Sequence, residues 1–331
     1  MIDKSIYVVA KIFDQQGCIA YRCKTLNEAR CLPGTLEALR AEGVQIVILD
    51  DPDIYSEYAP YEYIEDMKEF IEKYHLDLSL NSKFNARDTF GSHDDSDHVY
   101  NTPRAFDIER YLNPHTFTHQ PYDDDIPWSQ VPEKKITVED VKYALSLHFQ
   151  GTNYDPYKSY GDLSQKGMYR PIGINRNDFL SVIQLRNDVP KSFQAIEWIA
   201  YASNVFNTLV PFYGSISETP DYLSNTTDTV STDNFYWSSR LIAAMADASY
   251  KNSLFHIERY QEHVLSKGHE IINRYDDMIQ NEADTDKHLA LKHEANQAVA
   301  DMLKAATSDT LGKVLYELSN EMKNAYSRSD A

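Results

Sequence analysis

The sequence is poor in cysteine, and this shortage excludes two classes of protein. The three cysteines, Cys18, Cys23 and Cys31, all fall in the first tenth of the 331-residue chain. An odd and clustered count makes a poor disulfide framework. Their spacings of five and eight residues are not those of a zinc knuckle either. The sequence therefore predicts neither a disulfide-stapled scaffold nor a zinc-knuckle protein.

Basic residues and long apolar runs are scarce as well. Lysine and arginine number 32 against 51 for aspartate and glutamate, a net charge of -19. Such a surface repels phosphate backbones and anionic lipid, which argues against nucleic-acid and membrane-surface partners. No apolar run approaches the roughly 18 residues needed to span a bilayer. The start of the chain, residues 1–7, lacks the basic and apolar regions of a signal peptide. We therefore expect a soluble, cytoplasmic protein.

The pattern of apolar residues and turn formers predicts three regions. Residues 1–50 form a small ββαβ unit, residues 51–66 an acidic, tyrosine-rich linker, and residues 67–331 a larger portion. The elements predicted for the ββαβ unit are strands Ile6–Phe13, Cys18–Cys23 and Val44–Leu49 and helix Leu36–Glu42.

The larger portion is predicted to begin with helix Met67–Tyr74 and to carry its strands mainly within residues 165–213. Another helix follows the capping-box-like Thr137–Asp140 and ends by Gly151. The predicted strands are 170–176 and 179–186, paired about an Asn177–Asp178 turn, and 195–202. Helices fill residues 235–326, in the segments 238–264, 267–274, 282–306 and 311–326.

One polar stretch, residues 90–106, is too rich in short polar side chains to form a core element. Gly91 and the Ser/Asp run after it predict a loop, and Pro103 is expected to push Thr102 into an extended conformation. Loops this rich in titratable groups often carry chemistry.

Within that stretch, His98-Val-Tyr-Asn-Thr-Pro-Arg104 resembles a pattern of the cysteine dipeptidases of the N-terminal-nucleophile hydrolase superfamily, the dipeptidase A type. Four further stretches resemble the same family, in the family's order: residues 126–137, 148–157, 169–176 and 203–213. The resemblance runs from about residue 67 to the C-terminus, whereas residues 1–65 do not share it.

The resemblance implies an α+β fold: a partial αββα sandwich, here with the small N-terminal ββαβ unit and a helical C-terminus. It also implies hydrolysis of dipeptides by a cysteine that is the mature N-terminal residue, whose own α-amine acts as base, with nearby donors holding the oxyanion. It implies no cofactor.

None of the three cysteines has the sequence context of the family's nucleophile, which is followed by small hydroxyl residues. Using Cys18 would require removal of residues 1–17, and with them the first strand. We therefore expect a chain that lacks the N-terminal nucleophile and is inactive alone. The alternative is a non-catalytic truncated chain, or a partner subunit that assembles with a separately encoded, nucleophile-bearing portion. Uncovered sheet edges would then favour self-association or pairing with that N-terminal portion.

By analogy with the family, Arg104 would sit beside the thiolate and lower its pKa. The alternative is an arginine paired with Asp97 or Asp107. His98 and Asn101 are predicted to order the loop and contact substrate. Asn204 is predicted to contact substrate too, in a pocket with Asn207 and Tyr213, although asparagine at a strand end is also common turn chemistry.

A metal site is not predicted. The candidate ligands in the polar stretch lack the spacing of a helical HExxH motif; they are His93, Asp94, Asp95, Asp97 and His98. The histidines of the C-terminal helices are predicted to lie on solvated helix faces; they are His256, His263, His269, His288 and His293.

Overall fold

The computed structural model describes residues 8–14, 17–23, 65–76, 95–123, 126–127 and 130–323. The chain divides into two units. The first consists of Met1–Asp97 with Asp124–Val131, and the second of His98–Asp123 with Pro132–Ala331. The predicted region boundaries at residues 50 and 66 stay predictions.

The described elements of the first unit include a hairpin and a helix. Strands β1 (Val8–Asp14) and β2 (Gly17–Cys23) pair antiparallel, with Val8 opposite Cys23 and Asp14 opposite Gly17. Both strands are as predicted from their β-branched and aromatic content. Helix α1 (Glu65–Tyr74) begins slightly before its predicted start. The predicted helix 36–42 and strand 44–49 lie outside the described residues.

Two helices occupy part of the stretch that was predicted to be a loop. Helix α2 (Asp97–Tyr100) is a single turn, and α3 (Thr102–Leu112) follows almost at once. The predictions of an irregular segment up to Arg104 and of an extended Thr102 are therefore wrong. Pro103 lies in the first turn of α3, where its missing N–H breaks no helical hydrogen bond and its fixed φ favours the helix. The proline starts this helix and does not prevent it.

Helix α4 (Val138–Ala144) begins as its sequence predicted. The Thr137 hydroxyl accepts from the N–H of Asp140 at 3.1 Å, and the Asp140 carboxylate accepts from the N–H of Thr137 at 3.0 Å. This reciprocal capping box satisfies two N–H groups that the first turn leaves without helical partners.

Three strands form an antiparallel sheet in the order β3–β4–β5: β3 (Phe179–Leu185), β4 (Ala195–Tyr201) and β5 (Val210–Tyr213). Ile196, Trp198 and Ala200 alternate with less buried residues along β4. They face a core that includes residues of α7 (Tyr250–Asn281). In β5, Val210 and Phe212 pack into a second core with residues of α6 (Phe235–Ala248) and α8 (Lys287–Asn320).

The predicted strand 170–176 is wrong, because this segment is irregular. Its backbone donors serve two different segments: the N–H of Arg170 donates to Val99 at 3.0 Å and that of Gly173 to Leu147 at 2.7 Å. Pro171 has no N–H to offer a neighbouring strand. The segment therefore links α2 and the end of α4 and does not extend the sheet.

Residues 235–320 contain three helices where four were predicted, and the predicted segment 238–264 is wrong in being continuous, because Ser249 separates α6 from α7. Helix α5 (Asp221–Ser224) is one turn, and α7 and α8 are continuous over 32 and 34 residues. The predicted breaks near residues 264–267 and 306–311 are wrong. Gly268, inside α7, faces β5 so closely that a Cβ there would lie 2.7 Å from the Pro211 ring. This glycine permits close packing, and it does not end the helix. The second unit thus combines an antiparallel sheet with helices, an α+β arrangement.

Among the described residues, no helix combines the length and the hydropathy needed to cross a bilayer.

Candidate functional site

Arg104 lies in the first turn of α3 with its guanidinium held in place. Nε donates to the carbonyl of Tyr100 at 2.5 Å, and Nη2 donates to Oδ1 of Asn101 at 2.5 Å. Burial of the side chain and the charge of Arg170 lower the pKa of Arg104. The cation is therefore fixed at the N-terminal end of a helix, where the aligned peptide dipoles are already positive.

Asp107 is not paired with Arg104. Its carboxylate pairs with Arg110 at 2.9 Å and accepts the N–H of Phe149 at 2.8 Å. The carboxylate is fully buried, and this burial raises its pKa. Phe149 has a φ of 62°, unusual for a bulky residue, so the buried carboxylate holds a strained turn after α4. Sequence reasoning named Asp107 only as a partner of Arg104; its spacing of three from Arg110 was the signal available.

His98 and Asn101 are both engaged within the second unit. Nδ1 of His98 lies 2.9 Å from the carbonyl oxygen of Tyr122, and Asn101 binds Arg104. These contacts agree with an ordering role. Contact with substrate stays a prediction for both residues. His93 and Asp94 lie outside the described residues; within the described ones, no group of three or more His, Cys, Asp or Glu side chains could hold a metal ion.

Asn204 lies in the 202–209 loop that joins β4 to β5, every residue of which is buried. The loop opens at Ala202 with a φ of 67°, a left-handed conformation that its surroundings must stabilise. The Asn204 Nδ2 donates to the carbonyl of Leu145 at 3.2 Å, and Oδ1 accepts from Nδ2 of Asn207 at 3.0 Å. Both ends of the amide are therefore bound by the protein, and substrate binding by Asn204 stays a prediction.

Tyr213 has a different set of partners from Asn204 and Asn207. Its hydroxyl donates to Asp276 of α7 at 2.7 Å. Asp276 also forms an ion pair with Arg186, just beyond β3. Tyr213 therefore belongs to a contact between the sheet and α7. The 202–209 loop is fastened to α7 elsewhere, since Nε2 of Gln261 donates to the carbonyls of Val205 at 3.1 Å and Asn207 at 2.8 Å.

Lys142 is a residue that sequence reasoning missed. Its side chain is buried, and Nζ donates to the carbonyl of Asn204 at 2.5 Å and to the Ser146 hydroxyl at 2.8 Å. The Ser146 hydroxyl lies 2.7 Å from the same carbonyl. No carboxylate of the described residues pairs with this ammonium group. Burial lowers its pKa from 10.5 to about 7. In the sequence it is one more lysine of a polar helix, with no local signal of burial.

The C-terminal histidines with hydrogen bonds have separate partners. His256 contacts Glu317 at 3.1 Å and His269 contacts Glu139 at 2.7 Å. His288 contacts the carbonyl of Glu282 at 3.0 Å, and Nε2 of His293 accepts the N–H of Ser217 at 3.2 Å. These four side chains are partly exposed and His263 is exposed, which agrees with the predicted solvated helix faces.

The structure thus defines a class: an α+β protein in which buried polar groups join α3 to α4 and the turn after it, and α4 to the 202–209 loop. A model of peptidase family C69 matches residues 39–263. The chain belongs to peptidase family C69. The match begins well before residue 67, where the sequence resemblance was placed. Residues 1–76 also match a family of unknown function, DUF6718.

Curated relatives carry dipeptidase names. The chain is 43% identical over 312 residues to the "Dipeptidase" of Bifidobacterium longum, an alignment that covers 80% of this chain and 58% of the relative. It is 43% identical over 274 residues to a "Probable dipeptidase A" of Streptococcus pyogenes, covering 82% and 57%. It is 34% identical over 255 residues to the "Dipeptidase A" of Lactobacillus helveticus, covering 76% and 52%. The chain therefore spans little more than half the length of the curated relatives that it matches.

Proposed function

We propose that this chain takes part in the hydrolysis of dipeptides by a cysteine thiolate, and that the nucleophile is none of Cys18, Cys23 and Cys31 but belongs to a portion of the dipeptidase outside residues 1–331. The support is membership of peptidase family C69 together with relatives whose names are dipeptidases. On this proposal the chain alone is inactive, and the complete assembly adopts the αββα sandwich expected from the sequence resemblance. The cytoplasmic location stays a prediction.

The single observation that carries the proposal within the structure is the fixed cation at Arg104. A guanidinium held by Tyr100 and Asn101 is set in position before any thiolate arrives. A fixed positive charge favours the ionised form of a neighbouring thiol and so lowers its pKa. Arg104 is therefore assigned the role of electrostatic partner of the nucleophile.

The placement of two cysteines supports an external nucleophile. In the described hairpin, Cys18 lies opposite Phe13 and Cys23 lies opposite Val8. A cysteine that uses its own α-amine as base must be the first residue of its chain. Cleavage before either residue would remove all of β1, which pairs with β2. Cys31 lies outside the described residues.

The experiment is a dipeptide panel, with free amino acids measured by mass spectrometry. The purified chain is assayed alone and after addition of the part of the Bifidobacterium longum dipeptidase that its match leaves uncovered. We expect no turnover by the chain alone, and turnover that iodoacetamide abolishes once the two are combined.

A matched control uses the chain with Cys18, Cys23 and Cys31 all replaced by serine. The same turnover by this variant and by the unmodified chain in the combined assay supports a nucleophile from elsewhere. Iodoacetamide-sensitive turnover by the unmodified chain alone, lost in the serine variant, would contradict the proposal.

The partner surface of the proposal is strand β3. Within the described residues β3 pairs only with β4, so its other edge is unpaired. Phe179, Ile183 and Leu185 lie on one face of this strand with exposures of 56, 72 and 65%. An apolar edge strand is a template for association with another chain. We assign this surface to the nucleophile-bearing portion, with self-association as the outcome when that portion is absent.

Light scattering with and without the complementary portion tests this assignment. We expect the unmodified chain to self-associate and Ile183→Lys to be monomeric, since the charge blocks an apolar strand edge. Lys191→Met, which changes an exposed lysine outside β3, is the control. A monomeric unmodified chain that also fails to bind the complementary portion would contradict the role of β3.

A further inference from the structure

Positive charge is concentrated at the start of α3, and no carboxylate of the described residues pairs with it. Arg104 is in the first turn, which contains no acidic residue, and the positive end of the helix dipole adds to its charge. Arg170 acts on Arg104 as a second nearby cation. The whole chain has a net charge of -19. An unmatched pair of cations is therefore unexpected in this protein.

Hydrogen bonds attach both arginines to the same short helix, α2. The N–H of Arg170 donates to the carbonyl of Val99 at 3.0 Å, and Nε of Arg104 donates to the next carbonyl, that of Tyr100, at 2.5 Å. Both arginines are thus anchored to consecutive residues of α2. Both side chains are half-buried, so that each keeps access to solvent.

The two guanidinium groups differ in what they bind. Arg104 uses Nε and Nη2 for Tyr100 and Asn101. In the described part of the chain, Nε of Arg170 is buried and has no hydrogen-bond partner. No ion pair joins either arginine to a carboxylate of the described residues. A like charge beside a guanidinium that has no carboxylate partner among the described residues destabilises the free protein, and an anion at the solvent-accessible part of the Arg170 side chain would relieve this repulsion.

We propose that Arg170, beside Arg104, binds the C-terminal carboxylate of a short peptide. The inference rests on the proposed function, in which Arg104 lies beside the thiolate of the nucleophile. The reaction has a second anion, the C-terminal carboxylate of the substrate, and Arg170 supplies the positive charge that would bind it. Planar guanidinium and carboxylate groups form paired, charge-assisted hydrogen bonds. A site that binds the C-terminal carboxylate fixes the distance from that end of the peptide to the bond that is cleaved, and so selects substrates of one length, as a dipeptidase requires.

The test compares alanyl-alanine with its C-terminal amide by isothermal titration calorimetry at low salt. The two probes differ in the charged group that Arg170 is proposed to bind, and both keep the free amine. We expect the acid to bind about tenfold or more tightly than the amide. Arg170→Gln should abolish this preference, because it removes the charge. Arg176→Gln, which changes an exposed arginine of the same segment, should keep it.

Thermal unfolding separates a binding role from a structural one. Because the Arg170 guanidinium has an unpartnered Nε and a like-charged neighbour, Arg170→Gln should unfold at the same temperature as the unmodified chain or higher. Acetate should compete with alanyl-alanine in the unmodified chain and not in Arg170→Gln. Equal binding of acid and amide, no binding of either, or a preference that survives in Arg170→Gln would each overturn the inference.

Failure of this inference is distinguishable from failure of the proposed function. Hydrolysis by the combined portions without a preference for the free carboxylate overturns the inference alone. Selective binding of the acid without hydrolysis under any combination overturns the proposed function alone.

Discussion

Replacing Lys142 by methionine should change how the stability of the protein depends on pH. Methionine has a similar volume and no charge. The Ser146 hydroxyl lies 2.7 Å from the carbonyls of both Lys142 and Asn204, so its one proton can turn to the Asn204 carbonyl when the ammonium group is gone. The substitution therefore removes a buried ammonium group while leaving the adjacent buried acceptor with a partner. Titration of the lysine is the property that disappears.

Whether stability rises or falls with pH follows from the pKa values of Lys142 in the folded and the unfolded chain. The unfolded chain holds this proton up to a pH of about 10.5, whereas burial lowers the pKa in the folded protein to about 7. Between these values folding releases a proton, so the free energy of unfolding rises with pH. Below about pH 7 the lysine is charged in both the folded and the unfolded chain, and the folded protein carries the full free-energy cost of burying the ammonium group. At about 1.4 kcal/mol per pH unit, the gain from pH 7 to 9.5 is on the order of 3 kcal/mol.

Urea unfolding at several pH values between about 7 and 9.5 measures this gain. Tyrosines begin to ionise in the unfolded chain near the top of this range, but they do so in both proteins, so their contribution cancels in the comparison. We expect the unmodified chain to gain roughly 3 kcal/mol relative to Lys142→Met across the range. Lys166→Met, which changes an exposed lysine, should follow the unmodified chain. Parallel curves for the unmodified chain and Lys142→Met would refute burial of an unpaired ammonium group.

Three further substitutions test other contacts by chemical or thermal unfolding. Gly173→Ala should lower the free energy of unfolding by about 1–3 kcal/mol, because the added Cβ would lie 2.5 Å from the carbonyl oxygen of Ser146. An unchanged midpoint of urea unfolding would contradict this. Arg186→Met should lower the free energy of unfolding by about 2–3 kcal/mol, because the partly buried carboxylate of Asp276 loses its cation and keeps only the Tyr213 hydroxyl; a loss below about 1 kcal/mol would count against it. Hydrogen bonds, that of His115 foremost, lower the pKa of Glu133 to about 2. The unmodified chain should therefore lose more stability than Glu133→Gln as pH falls from about 4.5 towards 2, and equal losses would show that these bonds do not form.

Local signals predicted the elements whose hydrogen bonds close within a short stretch. The hairpin β1–β2, the capping box at Thr137 and Asp140, and strand β4 with its alternating burial all appear where the sequence placed them. In each case the residues that determine the structure lie next to one another in the chain. Such signals can be read from one sequence.

Elements fixed by distant partners were predicted wrongly. Residues 170–176 have strand-like composition, but Arg170 and Gly173 donate to Val99 and Leu147, which lie far away in the chain. The predicted break between residues 264 and 267 is absent as well, and Gly268, just after it in α7, packs against Pro211 of β5. A single sequence does not reveal which distant atom a glycine or an N–H group will meet.

In the candidate site, too, local motifs were predictive and burial by distant residues was not. Arg104, His98, Asn101 and Asn204 were chosen from motifs, and the structure places each among ordered polar contacts while leaving their chemical roles as predictions. Lys142 was not found, because burial of a lysine depends on what packs around it.

Lys142 and Arg170 are both cations without a carboxylate partner among the described residues, yet their surroundings assign them different roles. Nζ of Lys142 is enclosed by the oxygen atoms of Ser146 and Asn204, so its contacts account for its position in the fold. The Arg170 side chain has no carboxylate partner among the described residues and a like charge nearby, so its described contacts do not account for its position. The two substitutions should therefore affect different measurements. Arg170→Gln should keep the rise in stability between about pH 7 and 9.5 that Lys142→Met loses, and it should lose the preference for a free carboxylate. A flattened pH dependence in Arg170→Gln would mean that the two cations belong to one structural network, and would remove the reason for placing a ligand at Arg170.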